Sequence, residues 1–324
     1  MSAAREPRSP IVVLAGPTAS GKSSLALLLA ERLGAELLSV DSQQVYRGMD
    51  IGTAKPSAEE QARVPHHGID LVEPDTQLTA ADFVALADEA IEGIAARGGR
   101  TLVVGGTGLW VRALLRGLAP APPRDEALRA ELEATLEREG SPALHRRLLS
   151  QDPETAARLH PNDHVRIIRA LEVAASSGEP ISRHQARHGF RDFRYRHRYL
   201  ALRLPRELHR ARIRRRVEEM LAAGWKAEVE RLLAAGHGAR LRRVLGYAQL
   251  VDHLEGRLAG GELVDRTTSR TWAYAKRQLT WLQGEPGVEW LAPEPPDAAG
   301  LEALAGRLAP ELEAWFVGSA PERC

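Results

Sequence analysis

Cysteine is almost missing from this chain of 324 residues: the single one is Cys324, the last residue. A disulfide framework and a cysteine zinc site are thereby excluded. No apolar run approaches the roughly 20 residues needed to span a bilayer. The first ten residues are polar and lack the apolar stretch of a secretory signal, so a soluble, cytoplasmic protein is expected. Lysine is scarce as well. Of 44 basic residues only four are lysine, at Lys22, Lys55, Lys226 and Lys276. Where arginine has displaced lysine almost everywhere, a position that keeps the compact ammonium is one that the broad guanidinium fork fits badly. That flags Lys22, Lys55 and Lys276 as candidate functional positions.

What the chain does contain is an ordinary globular mixture, 44% hydrophobic and 27% charged. The length suits one large α/β core with an insertion, or two modest domains. The net charge of +1 conceals an asymmetry. Residues 181–216 carry thirteen arginines, no lysine and two acids, a local +11 that leaves −10 for the rest. Phe190, Phe193, Tyr195 and Tyr199 interleave with these arginines. Charge with stacking rings is what nucleic-acid surfaces use; a solvated helix face is the competing reading, and composition leaves both open.

Ile11–Ala15 is a short apolar, β-branched run that ends at a glycine-rich turn, followed by a helical stretch, Ser23–Leu33, apolar on most faces. Glu36–Val40, Ile69–Val72 and Thr101–Val104 read as further strands. Ala80–Arg97 reads as a helix capped by Thr79 and stopped by Gly98-Gly99. Strands alternating with helices predict a parallel sheet covered on both faces, with ligands beyond the strands' carboxyl ends. The fold class expected is α/β, with a P-loop NTPase-like parallel sheet and an all-helical insertion. Residues 1–10 are expected to be a flexible N-terminus and 11–120 the first part of the core. Pro120–Pro123 marks a boundary, and 121–198 is expected to be a helical insertion. Residues 199–292 return to the core, with Leu200–Leu204 as a strand before more helices. Residues 293–324 read as a tail with one helix, Ala299–Phe316.

Gly16-Pro17-Thr18-Ala19-Ser20-Gly21-Lys22-Ser23 has the spacing of a phosphate-binding loop, after a strand and before a helix. Backbone N–H groups would cradle phosphate oxygens, Lys22 would neutralise them, and the Ser23 hydroxyl would ligate Mg²⁺. ATP is the default ligand, but any diphosphate ester satisfies such a loop. Asp41, at the carboxyl end of the second strand, could hold Mg²⁺ through water or act as a general base. The polar run Asp41-Ser42-Gln43-Gln44 favours the base.

Six segments together resemble the bacterial tRNA dimethylallyltransferases. They are GPTASGKS, SVDSQQVYRGMDIGTAKP (Ser39–Pro56), VPHHGIDLVEP (Val64–Pro74), VVGGTGLW (Val103–Trp110), HPNDHVRIIRALEV (His160–Val173) and AKRQLTWL (Ala275–Leu282). The resemblance implies transfer of a dimethylallyl group from its diphosphate to N6 of adenosine 37 in tRNA, with Mg²⁺ as cofactor. It implies that Asp41 is the general base, that Thr18 bonds the bridging oxygen and that Arg216 clamps the diphosphate. It also assigns tRNA contacts to Asp41, Ser42, Gln43, Gln44, Thr107, Arg129, Val165, Arg166, Ile167, Ile168, Arg169, Arg243, Gly246, Tyr247, Lys276, Arg277 and Gln278. No membrane and no obligate protein partner are expected, and the chain is expected to be a monomer.

Each assignment has a plainer counterpart. Thr107 could only cap a helix, Arg166 and Arg169 could line a solvated helix face, and Trp272 with Trp281 could be core. Three rival functions remain: an adenylate isopentenyltransferase, a P-loop small-molecule kinase and a non-catalytic RNA-binding module. The helical insertion argues against the first, since a mononucleotide needs no such surface.

Overall fold

The structure, a computed structural model, describes residues 8–318. Residues 1–7 of the expected N-terminal segment, and Cys324, lie outside the described residues. The chain forms two compact units. Among the described residues one comprises 8–115 and 195–318, the other Arg116–Arg194.

The first unit holds six strands: β1 (Ile11–Ala15), β2 (Ala35–Val40), β3 (His66–His67), β4 (Arg100–Gly105), β5 (His197–Leu202) and β6 (Val288–Leu291). They form one parallel sheet in the order β3-β2-β4-β1-β5-β6. Its helices are α1 (Lys22–Leu33), α2 (Ala58–Arg63), α3 (Ala80–Ala96) and α4 (Gly108–Arg116) before the second unit. The second unit contributes α5 (Glu126–Glu139), α6 (Ser141–Gln151), α7 (Pro153–Arg158), α8 (His164–Ser177) and α9 (Ile181–His188). The first then resumes with α10 (Arg206–Ala222), α11 (Trp225–Ala234), α12 (Gly238–Leu241), α13 (Tyr247–Leu254), α14 (Gly260–Gln283) and α15 (Ala298–Phe316).

All five residues of β1 are buried, as a central parallel strand requires. The two-residue period of a strand splits them between two cores. Ile11, Val13 and Ala15 pack with Phe83, Trp110, Trp225 and Tyr247. Val12 and Leu14 pack with Leu25 and Leu29 of α1 and with Leu301, Leu304 and Leu308 of α15. The Thr79 cap forms as a full capping box with Asp82.

Four sequence expectations are corrected. The third strand is His66–His67, not Ile69–Val72, of which only Val72 makes an isolated bridge, to Tyr46. Left-handed Gly68 and Asp70 turn the chain there, with Asp70 held by Lys55. The returning strand starts at His197 and stops at Leu202, and a sixth strand, Val288–Leu291, pairs beside it. The helical unit runs 116–194, so Tyr195 belongs to the sheet unit, where its hydroxyl donates to Asp88 at 2.6 Å. The supposed tail helix is core. α1 is apolar around most of its surface, and α15 covers the side that the sheet leaves open.

The second unit has its own core of Leu132, Leu144, Leu148, Ile167, Ile168 and Leu171. Among the described residues no helix is long and apolar enough to cross a membrane.

Leu304→Ala removes a side chain held between α15 and α1. It is expected to cost about 2–5 kcal/mol of unfolding free energy, read from urea denaturation. A loss below about 1 kcal/mol would mean that α15 contributes little to the core.

Candidate active site

The pairing register brings the site together. Ala15 and Val40 are both level with Gly105, because β4 lies between β1 and β2. The phosphate loop, Asp41 and the Gly106-Thr107 turn therefore leave the same edge of the sheet side by side. Gly106 has no room for a side chain, since a Cβ would lie 2.3 Å from Gln278 Nε2.

Within the loop, Ala19 (φ 61°) and Gly21 (φ 94°) take left-handed conformations. Such alternation turns consecutive N–H groups toward one point and makes an anion nest. Gly21 precedes α1 without a side-chain cap, so the helix's first amides are also available to an anion. The Ser20 hydroxyl is buried inside the loop against Gly16 and has no hydrogen-bond partner. The loop is held from both sides at one residue, Thr18. Thr18 N–H donates to Gln278 Oε1 at 2.8 Å, and Thr18 C=O meets His209 Nε2 at 2.8 Å. His209 is 1% exposed. Burial, and secondarily Lys22 and Arg212, hold its pKa below the ordinary imidazole value although the Thr18 bond opposes this. A neutral ring donating through Nε2 follows. Arg212 reaches the Ser20 carbonyl at 3.5 Å.

Opposite the loop, Asp41 Oδ1 accepts from Gln43 N at 2.9 Å, a local turn bond, and its other oxygen has no hydrogen bond among the described residues. Ser42 N donates to Thr107 Oγ1 at 3.0 Å. Thr107 does begin α4, but through its carbonyl, which accepts from Trp110 and Val111. Its side chain spans to the Asp41 turn. Lys22, Asp41 and Arg216 act on one another electrostatically. Burial pulls the Lys22 ammonium down to about 8, with Asp41 opposing the shift and Arg216 adding to it. Arg216 is likewise held below its usual value by burial, with Asp41 opposing. Two desolvated cations and a nest of amides facing one carboxylate can bind a diphosphate and accept a proton beside it.

The remaining sequence candidates divide. Pro17 accepts from Ser20 N at 3.2 Å inside the loop. Val165 and Arg166 face solvent on α8, as do Lys276 and Arg277 on α14 and Arg243 before α13. Ile167 and Ile168 are buried in the second unit's core, so their side chains pack the helix and are closed to RNA. Arg129 and Arg169 both pair with Glu172, which is fully buried and also caps the Asp125 amide. Tyr247 is fully buried, with its hydroxyl on Glu228 at 2.6 Å, and Gly246 packs against Trp225. Gln44 spends its amide on the Thr53 and Ala54 carbonyls, and the Gln43 Oε1 is buried. Trp272 packs edge-on against His209, and Trp281 lies under Arg112.

Lys55, flagged by lysine scarcity, is a brace, 3% exposed between Asp50, Asp70 and the Tyr46 carbonyl. The arginine-rich segment is no single surface. It splits into α9, β5 and α10, and Arg198, Arg214 and Arg215 are ion-paired to acids of the sheet unit. Reasoning from residues alone missed His209, and it missed the tie that Gln278 makes to Thr18. They lie 191 and 260 positions from Thr18, and no local spacing announces such a pairing.

Among the described residues no cluster of His, Cys, Asp or Glu could hold a metal by itself. A magnesium ion at the exposed Ser23 hydroxyl would take one protein oxygen and complete its shell from phosphate and water. Mg²⁺ suits that donor set, because it keeps several waters and few protein ligands at nucleotide and diphosphate sites.

A family model described as IPP transferase matches residues 44–285, and one described as isopentenyl transferase matches 9–66. A tRNA dimethylallyltransferase of Anaeromyxobacter dehalogenans is 53% identical over 92% of this chain and 98% of its own length. One from Geobacter metallireducens is 49% identical over 88% and 93%. The crystal structure of a tRNA isopentenylpyrophosphate transferase from Bacillus halodurans matches with a TM-score of 0.68 at 36% identity, over 96% of this chain and 100% of that one. A eukaryotic dimethylallyltransferase acting on tRNA matches with a TM-score of 0.82 at 25% identity, over 98% and 81%.

Lys22 in the free protein is charged below about 8 and loses that charge as pH rises through it. Affinity for an alkyl diphosphate is expected to be flat near neutrality. Above pH 8 it should weaken, by up to about tenfold per pH unit, as measured by titration calorimetry. Affinity unchanged across that range would mean that Lys22 does not carry the charge the ligand binds.

Proposed function

The chain belongs to the IPP transferase family, and from that premise we propose that it acts as a tRNA dimethylallyltransferase, moving the dimethylallyl group of dimethylallyl diphosphate to N6 of adenosine 37. The observation that carries the reading is one carboxylate, Asp41, set at the strand edge beside a phosphate nest with Lys22 and Arg216. In the transfer the allylic C–O bond breaks and an N6–C bond forms. The N6 proton goes to Asp41, and diphosphate leaves. An exocyclic purine amine is a poor nucleophile, since its lone pair is delocalised into the ring. The barrier is lowered chiefly by stabilising the leaving group. Loop amides, Lys22 and Arg216 supply that, each such donor being worth about 3–4 kcal/mol. Thr18 is the residue we assign to the bridging oxygen. Mg²⁺, when bound at Ser23, would add charge neutralisation on the diphosphate.

Adenosine in a stacked anticodon loop must be flipped out to reach this edge, at a cost of a few kcal/mol. Contacts along the RNA offset that cost. Val165 and Arg166 on α8, and Arg243, Lys276 and Arg277 on the sheet unit, are the exposed candidates. A tRNA acceptor also supports a cytoplasmic site of action.

Labelled dimethylallyl diphosphate offered with Mg²⁺ and either unmodified tRNA or AMP is expected to label the tRNA alone. Label on AMP would move the chain to the adenylate branch, and phosphate transfer from ATP without prenyl transfer would make it a kinase. Asp41→Ala should lower turnover by about 10²–10⁴-fold with tRNA affinity kept, by filter binding. Equal loss of both would remove Asp41 from the base role.

A further inference from the structure

His209 is a buried imidazole that no step of the transfer uses. It stands in the first turn of α10, on the buried stripe that continues through Ile213 and Val217. Two contacts fix its ring. Trp272 of α14 packs edge-on against it, with ring centroids 5.4 Å apart, and Nε2 lies 2.8 Å from the Thr18 carbonyl. A carbonyl only accepts, so Nε2 carries a proton and donates. Thr18 stands between two peptide planes, and both are held. The plane before it has the Pro17 carbonyl on Ser20 N at 3.2 Å and the Thr18 N–H on Gln278 Oε1 at 2.8 Å. The plane after it has its carbonyl on His209. That bond also keeps Ala19 left-handed at φ 61°, a conformation that costs a residue other than glycine about 1–3 kcal/mol. With both planes fixed, the direction of the Thr18 Cα–Cβ bond is fixed too, and a β-branched side chain adds little rotamer freedom of its own.

We propose that His209 is a positioning residue for the transfer reaction: its bond to the Thr18 carbonyl, opposed by Gln278 on the Thr18 amide, aims the Thr18 hydroxyl at the bridging oxygen of the diphosphate. The inference rests on the transferase reading and on the place that reading gives to Thr18. As the allylic C–O bond breaks, negative charge gathers on the bridging oxygen. A donor aimed there acts on the transition state more than on the bound diphosphate. The loop amides and Lys22 hold the other phosphate oxygens in both states. Without His209 the Thr18 carbonyl is free to turn while Gln278 still holds the amide, and the hydroxyl swings out of line. A misplacement of about 1 Å costs on the order of 10²-fold in rate. The loss falls on kcat and leaves diphosphate affinity nearly as it was.

The test sets H209F, H209N and H209Q in the full chain beside the parent, assayed with labelled dimethylallyl diphosphate, Mg²⁺ and tRNA. Phenylalanine keeps a ring against Trp272 but has no donor. The asparagine amide falls short of Thr18, and the glutamine amide reaches about as far as Nε2 does. Expected is a drop in kcat of about 10- to 100-fold in H209F and H209N, most of which H209Q recovers. Diphosphate Kd, by calorimetry, should stay within about threefold of the parent in all of them. H209N carries the comparison if H209F does not fold. A glutamine variant as slow as the asparagine one overturns the proposal, and so does an unchanged kcat in H209N or an affinity that falls in step with kcat. T18V gives a second reading, because it removes the hydroxyl being aimed. On that background H209N should cost less than about twofold more. Losses that multiply overturn the proposal, since His209 would then act on the fold and not through that hydroxyl, and T18V with full kcat overturns it as well. A parent that labels no tRNA overturns the transferase reading, and the inference with it, before any variant is compared.

Discussion

Both backbone polar groups of one residue, Thr18, are taken by side chains from the far end of the chain: His209 on its carbonyl and Gln278 on its amide. A phosphate nest depends on backbone N–H groups all pointing one way, with residues such as Ala19 in a conformation unfavourable to anything but glycine. Such a loop does not hold its shape by itself. The two bonds to Thr18, with Arg212 on the Ser20 carbonyl and Leu301 packed against Gly21, fasten it to α10, α14 and α15. The neutral state of His209 belongs to the same constraint. A charged ring there would sit beside Lys22 and Arg212, both of which oppose it.

The two long helices deliver their groups by simple periodicity. His209, Arg212 and Arg216 fall at i, i+3 and i+7 of α10, one stripe facing the loop. Gln278 and Trp281, three positions apart on α14, meet Gly106 and Gly108. Lys276 and Arg277 on the outer side of that helix face solvent. α14 therefore has an inner face that packs on the loop and the β4 turn and an outer face open to solvent. The loop after β2 is fixed in a different way. Buried Glu228 accepts from the amides of Asp50, Ile51 and Gly52 and from Tyr247, and Lys55 closes the other end. A Cβ on Gly52 would fall 2.1 Å from the Trp225 ring, which is why the GMDIGTAKP stretch has glycine there.

Lysine scarcity pointed at real constraints but not at one kind of role. Lys22 is buried at the glycine-rich loop, and Lys55 joins two acids and a carbonyl. Lys276 is exposed, and so is Lys226, which was set aside. The arginine-rich segment, whose composition left two readings open, crosses a helix, a loop, a strand and a second helix, and two of its arginines pair with acids remote in sequence: Arg198 with Glu289 and Glu311, and Arg214 with Asp265. Charge along a chain becomes a field only where the fold brings it onto one face.

The first two strands with the helix between them, the glycine-rich loop and Asp41 at a strand end were legible in the sequence, because each depends on neighbours within a turn or a strand; the third strand was misplaced and the sixth missed. Apolar runs of five or six residues, a glycine-bounded turn and a capping box are local statements of backbone preference. Tertiary structure alone decided that β4 lies between β1 and β2, which sets Asp41 beside the loop. It also decided that α15 is core rather than tail, and that Ile167, Ile168 and Tyr247 are closed to solvent. It supplied His209 and Gln278 on Thr18. Those facts depend on which faces meet once apolar surface is buried, and that pairing is made between residues from tens to more than two hundred positions apart.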